Sequence, residues 1–326
     1  MDLIINHGIL HIIDNERGQV AFSSAELDLD SDMVADFLTK HIKKIMNSTA
    51  VKEATFNNDS QMLSIVCKLM AKETDFKQAS IDMCKKLSEI MLENGGIPPA
   101  DILIAQFDIK HDKHLAIFKL NHSVFYTHET KGGENHIVQS AFALPLGNSK
   151  VSEAVLIPYS PMVLKIIEKP HIVNGEEANY FSEHFLDAGT QLSKKEAARI
   201  VKDILEGVVD EFEEGNPMAA AKFHLAMIEE AIENDGDVRL ESVCRQAFEN
   251  DEARSAFIEA AKEAGMGQDY YFGEKFCMKE FGTIRVKSSD GIELKLPVGI
   301  MDDPNIAEIK SHGAGFDILV KNLSKS

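Results

Sequence analysis

The tightest grouping of side chains able to do chemistry is His111-Asp112-Lys113-His114, with His122 and His128 a short way along the chain. Two imidazoles three residues apart could share a metal ion, but ligation needs a third convergent donor and partners that orient the rings. Here the pair falls in a polar turn beside two lysines, which makes a metal-dependent hydrolase the weakest of three functional readings. Asp28-Leu29-Asp30-Ser31-Asp32 resembles the start of a calcium loop, yet Met33 stands where glycine is required and Thr39 where the closing acid belongs. Helix capping accounts for those carboxylates more simply. There is no Walker A motif and no Gly-x-Ser-x-Gly elbow, and Gly265-Met266-Gly267 follows a helix instead of a strand, which fails the dinucleotide context. Glu213-Glu214 and Glu229-Glu230 read as solvated helix faces. His224 reads as a core histidine held by a partner. These patterns nominate no catalytic residue, no metal and no cofactor.

What remains is electrostatic. The 326 residues carry 34 Lys+Arg against 53 Asp+Glu, a net charge of −19. Residues 271–326 hold eight of each, so the whole deficit lies upstream; residues 187–269 alone have 9 basic against 20 acidic side chains. Such a polyanion repels phosphate backbones at long range, so a nucleic acid can be held only by a local basic face. Arg285, Lys287 and Lys295 form the least neutralised set. Lys194, Lys195, Arg199 and Lys202 fall at near-helical spacing at the start of a long helix, where they could meet phosphate or pair with Glu196, Asp203 and Glu206. Lys43-Lys44 and Lys85-Lys86 read as wetted helix faces. The chain has no Trp, and Tyr270-Tyr271-Phe272 is the only run of three aromatics, so a stacking platform for single strands has little support. Double-stranded DNA is the expected nucleic acid.

The elements that must position these groups follow from periodicity. Strands are expected at 3–13 and 18–23, then a helix capped by Asp30, Ser31 or Asp32 and carrying Val34, Phe37, Leu38, Ile42 and Ile45 on one stripe. Helices over 59–71 and 75–94 come next, the latter closed by Gly95-Gly96 and Pro98-Pro99. Apolar runs at 102–107 and 115–120 flank a polar turn at Lys110–His114, with further strands at 137–145, 151–158 and 162–167. Strands joined by short turns favour an antiparallel sheet over a βαβ array. From about 192 the pattern is helical: a long amphipathic helix ends at Gly215-Asn216-Pro217, and three more cover 218–234, 238–249 and 251–264. The last segment returns to strands. A three-residue loop, Ser289-Asp290-Gly291, pairs Val286 with Leu294 and Lys287 with Glu293, and sets Arg285 directly opposite Lys295. Residues 303–311 fit either a short helix or a strand. The expected class is α+β, with an antiparallel-sheet domain over 1–186, an acidic helical region over 187–270 and a β-rich segment over 271–326.

Cys67, Cys84, Cys244 and Cys277 show no clip or disulfide spacing. The first residues lack the basic region of a signal peptide, and no apolar run approaches the ~18 residues of a membrane span. A reducing cytoplasm, with no membrane partner, is the expected setting.

Taken together, the layout resembles the bacterial nucleoid-associated protein family of the NdpA-like type. The resemblance rests on Ile4-Ile5-Asn6-His7-Gly8-Ile9-Leu10-His11, Ala154-Val155-Leu156-Ile157-Pro158, Ala188-Gly189, the paired blocks Val238–Val243 and Phe257–Ala261, and the closing strands Ile292–Leu296 and Phe316–Lys321. It implies a cytoplasmic protein that associates with the nucleoid, with DNA binding and no established catalytic residues; the leading expectation is that phosphate contacts give low sequence specificity. The rival expectation is an acidic adaptor that reaches the nucleoid through basic protein partners. Neither oligomeric state nor sequence preference is legible.

Overall fold

The two apolar runs around residues 102–107 and 115–120 become neighbouring strands at the heart of a sheet, in a computed structural model that describes residues 3–144, 149, 151–287, 291–300, 305–312 and 315–321. Two compact units divide the chain, Met1–Ser193 and Lys194–Ser326. In chain order the first contains β1 (Leu3–Asp14), β2 (Gln19–Ala21), α1 (Asp32–Met46), β3 (Lys52–Phe56), α2 (Gln61–Met70), α3 (Phe76–Glu93), β4 (Ala100–Ile109) and β5 (Asp112–Asn121). It continues through β6 (Ser123–Lys131), β7 (Glu134–Ala143), β8 (Glu153–Pro158), β9 (Leu164–Ile167), β10 (His171–Val173), β11 (Glu176–Ala178), a π-helical turn at Phe181–Leu186 and β12 (Ala188–Thr190).

Eight strands pair in the order β12-β3-β9-β8-β5-β4-β1-β2, every pair antiparallel. The central strands are apolar on both faces because both faces are covered. Ile102, Ile104, Leu115, Ile117, Val155 and Ile157 join the core made with α2, α3 and the π-helical turn. Leu103, Ala105, Phe107, Ala116, Phe118 and Leu156 meet Leu38, Ile42 and Ile45 of α1 on the other side. Each fully buried Ile, Leu or Phe contributes about 2 kcal/mol, so the continuous apolar runs, and not the turns, dictate the layering. The helices are locally signalled as well: the side chains of Ser60 and Asp75 accept from the Leu63 and Gln78 backbone N–H groups and cap α2 and α3.

The second unit contains α4 (Lys194–Phe212), α5 (Pro217–Glu233), β13 (Asp237–Arg239), α6 (Leu240–Ala247), α7 (Asp251–Glu263), β14 (Asp269–Tyr271), α8 (Glu274–Phe281), β15 (Thr283–Lys287), β16 (Glu293–Pro297), β17 (Ala307–His312) and β18 (Gly315–Val320). Helix α5 is its centre: Phe223 packs 5.8 Å from Phe248 and 4.8 Å from Phe257, ring centre to ring centre. The apolar sides of β15 and β16, through Ile284 and Leu296, close on Ala221 of α5, with Ile318 and Val320 of β18 added at the edge.

The structure departs from the sequence reading in several places. The Lys110–His114 turn contracts to Lys110-His111, both at positive φ (53° and 96°), the backbone of a tight primed hairpin turn built without glycine. Residues 123–131, assigned to nothing from sequence, form β6 and pair with β7 in a hairpin of their own. The helix expected over 238–249 starts at Leu240 instead, and residues 237–239 pair as a strand with 269–271. Residues 274–281, within the expected β-rich segment, are the helix α8, whose Cys277 and Phe281 are buried. The ambiguous stretch near 307 is a strand.

Candidate nucleic-acid interface

Alternation on β15 and β16 fixes what faces solvent. Ile284 pairs with Leu296, both packed toward α5, and Val286 pairs with Leu294, so Arg285, Glu293 and Lys295 fall on the opposite face, with Lys287 opposite Glu293 in register. The register expected from sequence is the one observed: Val286↔Leu294, Lys287↔Glu293 and Arg285↔Lys295. Gly291 has φ +83°, as the loop required; Ser289 and Asp290 lie outside the described residues, as does the Lys287 side chain. Arg285 is largely exposed and reaches the Glu293 carboxylate at 3.6 Å. Lys295 is exposed and makes no ion pair among the described residues. Two cations thus stand opposite one another across the strand pair, with one acid diagonal to them, an arrangement that costs a few tenths of a kcal/mol, about 0.2–1, when no anion is present.

The second nominated set lies on α4. Lys195, Arg199 and Lys202 are spaced i, i+4, i+7 and share one stripe. Lys195 and Arg199 are exposed. Lys202 is partly buried, its ammonium 3.0 Å from Glu280 and 5.2 Å from the Phe281 ring centre. Lys194 turns away from the stripe and rests 4.0 Å over the Tyr271 ring. Of the four, Lys195 and Arg199 are therefore the cations presented to solvent, while Lys194 and Lys202 tie α4 to β14 and α8. All four sit in the first half of the helix, where cations oppose the macrodipole. Glu196 in the first turn offsets part of that.

Sequence reasoning overlooked the arginines of β13, α6 and α7. Arg239, Arg245, Glu241, Gln246 and Gln268 line a polar cavity of about 330 Å³. Its cations are engaged: Arg239 is 2.5 Å from the buried Glu230, and Arg245 is 3.6 Å from Glu241. Arg254, nearby, donates to the Phe248 and Glu249 carbonyls and pairs with Asp251 at 2.6 Å. These arginines hold helix ends and turns together; the groove is not a cationic surface.

Also unforeseen was a buried charge network in the first unit. Lys119 and Glu153 face each other across β5 and β8 with both side chains fully buried and 2.9 Å apart. The Tyr180 hydroxyl donates to Glu153 at 2.8 Å, His171 approaches it at 2.9 Å, and Lys119 also donates to Asn121. Burial pushes the Glu153 pKa up, but the close approach of His171, the Lys119 charge and the bonds from Lys119 and Tyr180 outweigh it and hold it below the usual range. The signal was a lysine inside the run Leu115–Leu120, which a strand buried on both faces can hold only with a partner.

His224 behaves as expected. It is buried, its ring N–H meets the Thr283 carbonyl at 3.2 Å, and its pKa falls to about 4, first through burial and then through the Lys202 charge. His114 bonds locally to the Asp112 carbonyl and stacks on Phe107. Among the described residues no group of three or more His, Cys, Asp or Glu side chains could hold a metal ion. Nor, among them, is any helix long and apolar enough to cross a membrane.

Residues 9–323 match the family model described as nucleoid-associated protein YejK. The chain belongs to that family. The match spans both units, so the sheet unit and the helical unit are read together as one family architecture. No individually curated protein matches the chain. Membership makes this a nucleoid-associated protein.

Proposed function

We propose that this member of the YejK family binds duplex DNA directly, in the cytoplasm at the nucleoid, with low sequence specificity and without catalysis. The observation that carries the reading is the opposition of Arg285 and Lys295 on the solvent face of β15–β16, a repulsion that a phosphate between them relieves. Lys287 shares that face by register, and Lys195 and Arg199 add a cationic stripe at the positive end of the α4 dipole. Lys194 and Lys202 support the stripe by anchoring the helix. Contacts of this type position a protein on a backbone and read no base, which is why specificity is low. In a chain of net charge −19, affinity must fall steeply as salt rises.

Titration of a labelled duplex across several salt concentrations tests this. Log affinity should fall linearly with log salt, and replacing Arg285, Lys287 and Lys295 together by Ala should lower the slope by about 0.9 for each phosphate no longer neutralised. An unchanged slope clears that face of the role; absence of binding at low salt removes direct DNA contact altogether.

The acid-rich helical stretch between residues 187 and 269 favours a second reading, an adaptor held at the nucleoid by basic proteins. Retention of partners in a pull-down after nuclease digestion would favour the adaptor over direct binding.

A further inference from the structure

The hairpin β6–β7 stands outside the eight-stranded sheet of the first unit. Ser123–Lys131 is exposed along its whole length, and among the described residues no further strand pairs with either edge. Val124, Phe125, Tyr126 and Ile137 all present apolar surface to solvent, Ile137 at 83% exposure. An isolated two-stranded hairpin is at best marginally stable in water, and an edge of about 30 Å is an open template for another strand. The main sheet, by contrast, ends on β2 and β12, each only three residues long. That is how edges are normally blunted.

We infer that β7 pairs with β7 of a second copy of this chain, making a two-fold, four-stranded sheet from two hairpins. Charge selects the occupant. Residues 135–143 contain no formally charged side chain, so self-pairing sets no charge opposite its own copy. Two molecules of net charge −19 repel at long range, and an uncharged strip adds nothing to that repulsion when it pairs with itself. A duplex fits worse: the hairpin carries Glu129 and Glu134 against Lys131, which is already 3.0 Å from Glu129.

Geometry agrees. Tyr126 pairs with Gln139 and His128 with Ile137, so these four share one uncharged face. A two-fold axis through a β7 residue pairs odd positions with odd positions. The face bearing Ile137 therefore continues from one copy into the next. One strand pair of this length buries less than the roughly 800 Å² per partner of a standard interface, so the dimer should dissociate on dilution.

Sedimentation velocity of the full chain over a dilution series, with Ile137→Lys alongside, reads this out. The expected result is a twofold mass at high concentration, and a dissociation constant raised about tenfold or more by Ile137→Lys at an unchanged melting temperature. In a Cys67→Ser background, Ile137→Cys should form a disulfide-linked dimer under mild oxidation, and Lys262→Cys should not. If Ile137→Lys unfolds the protein, replacing residues 124–143 by a Gly/Ser linker serves instead, because the main sheet does not include them. A monomer at every concentration, or a dimer indifferent to these changes, overturns the inference. So does loss of DNA affinity on removing the hairpin from a protein that stays monomeric, which would assign the hairpin to the duplex.

Discussion

Lys119–Glu153 in the first unit and Arg285–Glu293 in the second are both cation–carboxylate pairs bridging neighbouring antiparallel strands, and they do opposite jobs. The first is fully buried at 2.9 Å and has its remaining valences taken up by Asn121, Tyr180 and His171. The second is 3.6 Å across an exposed face, with a further cation beside it. Water screens the surface pair to between about 0 and 1 kcal/mol, so a phosphate can replace the acid at little cost. Glu153 is harder to replace, because without it the buried Lys119 ammonium keeps only Asn121 as a partner. The same residue types thus fasten the sheet in one place and leave charge available in the other.

Breaking the buried pair should give the largest effect. Glu153→Ala strands Lys119 and the Tyr180 hydroxyl in an apolar interior and should cost about 3–5 kcal/mol, read as a lowered urea midpoint. Burial already pulls the Lys119 pKa down against the attraction of Glu153, so in the variant the lysine escapes by losing its proton. Adding Lys119→Met to Glu153→Ala should recover only part of the loss, since Tyr180 and His171 still lack their acceptor. Full recovery would mean the network contributes no more than its two charges.

The contrast was only half legible in the sequence. Alternation on 284–287 and 292–296 fixed both the register and the charged face, because one side of that hairpin is apolar and a slip of one residue would bury Lys295. The three helices and the long apolar strands of the first unit could be read for the same reason, since apolar stripes are local, whereas the short strands β3, β10, β11 and β12 gave no such signal. Lys119 and Glu153 lie 34 residues apart. Their partnership depends on β5 lying beside β8, which no local pattern records. The hairpin β6–β7 escaped notice because β6 is exposed along its length: Ser123–Lys131 mixes Thr, His, Glu and aromatics without the alternation a buried face imposes. The α4 cations were only partly separable, since whether a lysine meets solvent, Tyr271 or Glu280 is decided by α8 and β14.

A smaller loss should come from protons in the second unit. The folded pKa of His224, near 4, lies below its unfolded value of about 6.5, so the unfolded chain takes the proton first. Stability from this group is therefore complete above about pH 6.5 and drains as pH falls toward 4, by about 3 kcal/mol in total. Chemical denaturation at successive pH values should show this slope, flattened in His224→Leu, which also gives up the bond to the Thr283 carbonyl. Equal slopes in both proteins would place the acid sensitivity elsewhere; burial lowers the pKa of His11 and His41 in the first unit too.

The exposed pair should barely register in stability, and its effect belongs to binding. The triple Ala variant of Arg285, Lys287 and Lys295 should unfold within about 0.5 kcal/mol of the parent while its DNA salt slope drops. Equal loss of stability would show that these cations hold the hairpin together instead of serving a partner.

The smallest effect is the most discriminating, because it runs the other way. Glu293→Gln removes the acid 3.6 Å from Arg285 and leaves Arg285 and Lys295 on that face without it. If phosphate docks there, affinity for duplex should rise about two- to fivefold at low salt, a gain of roughly 0.5–1 kcal/mol, and the gain should shrink as salt increases. Folding should become slightly less favourable, since the Arg285–Lys295 repulsion is then unopposed in the free protein. A surface that merely solvates the hairpin would show the second change without the first. Tighter binding from a variant that is marginally less stable would separate charge kept for a partner from charge kept for the fold.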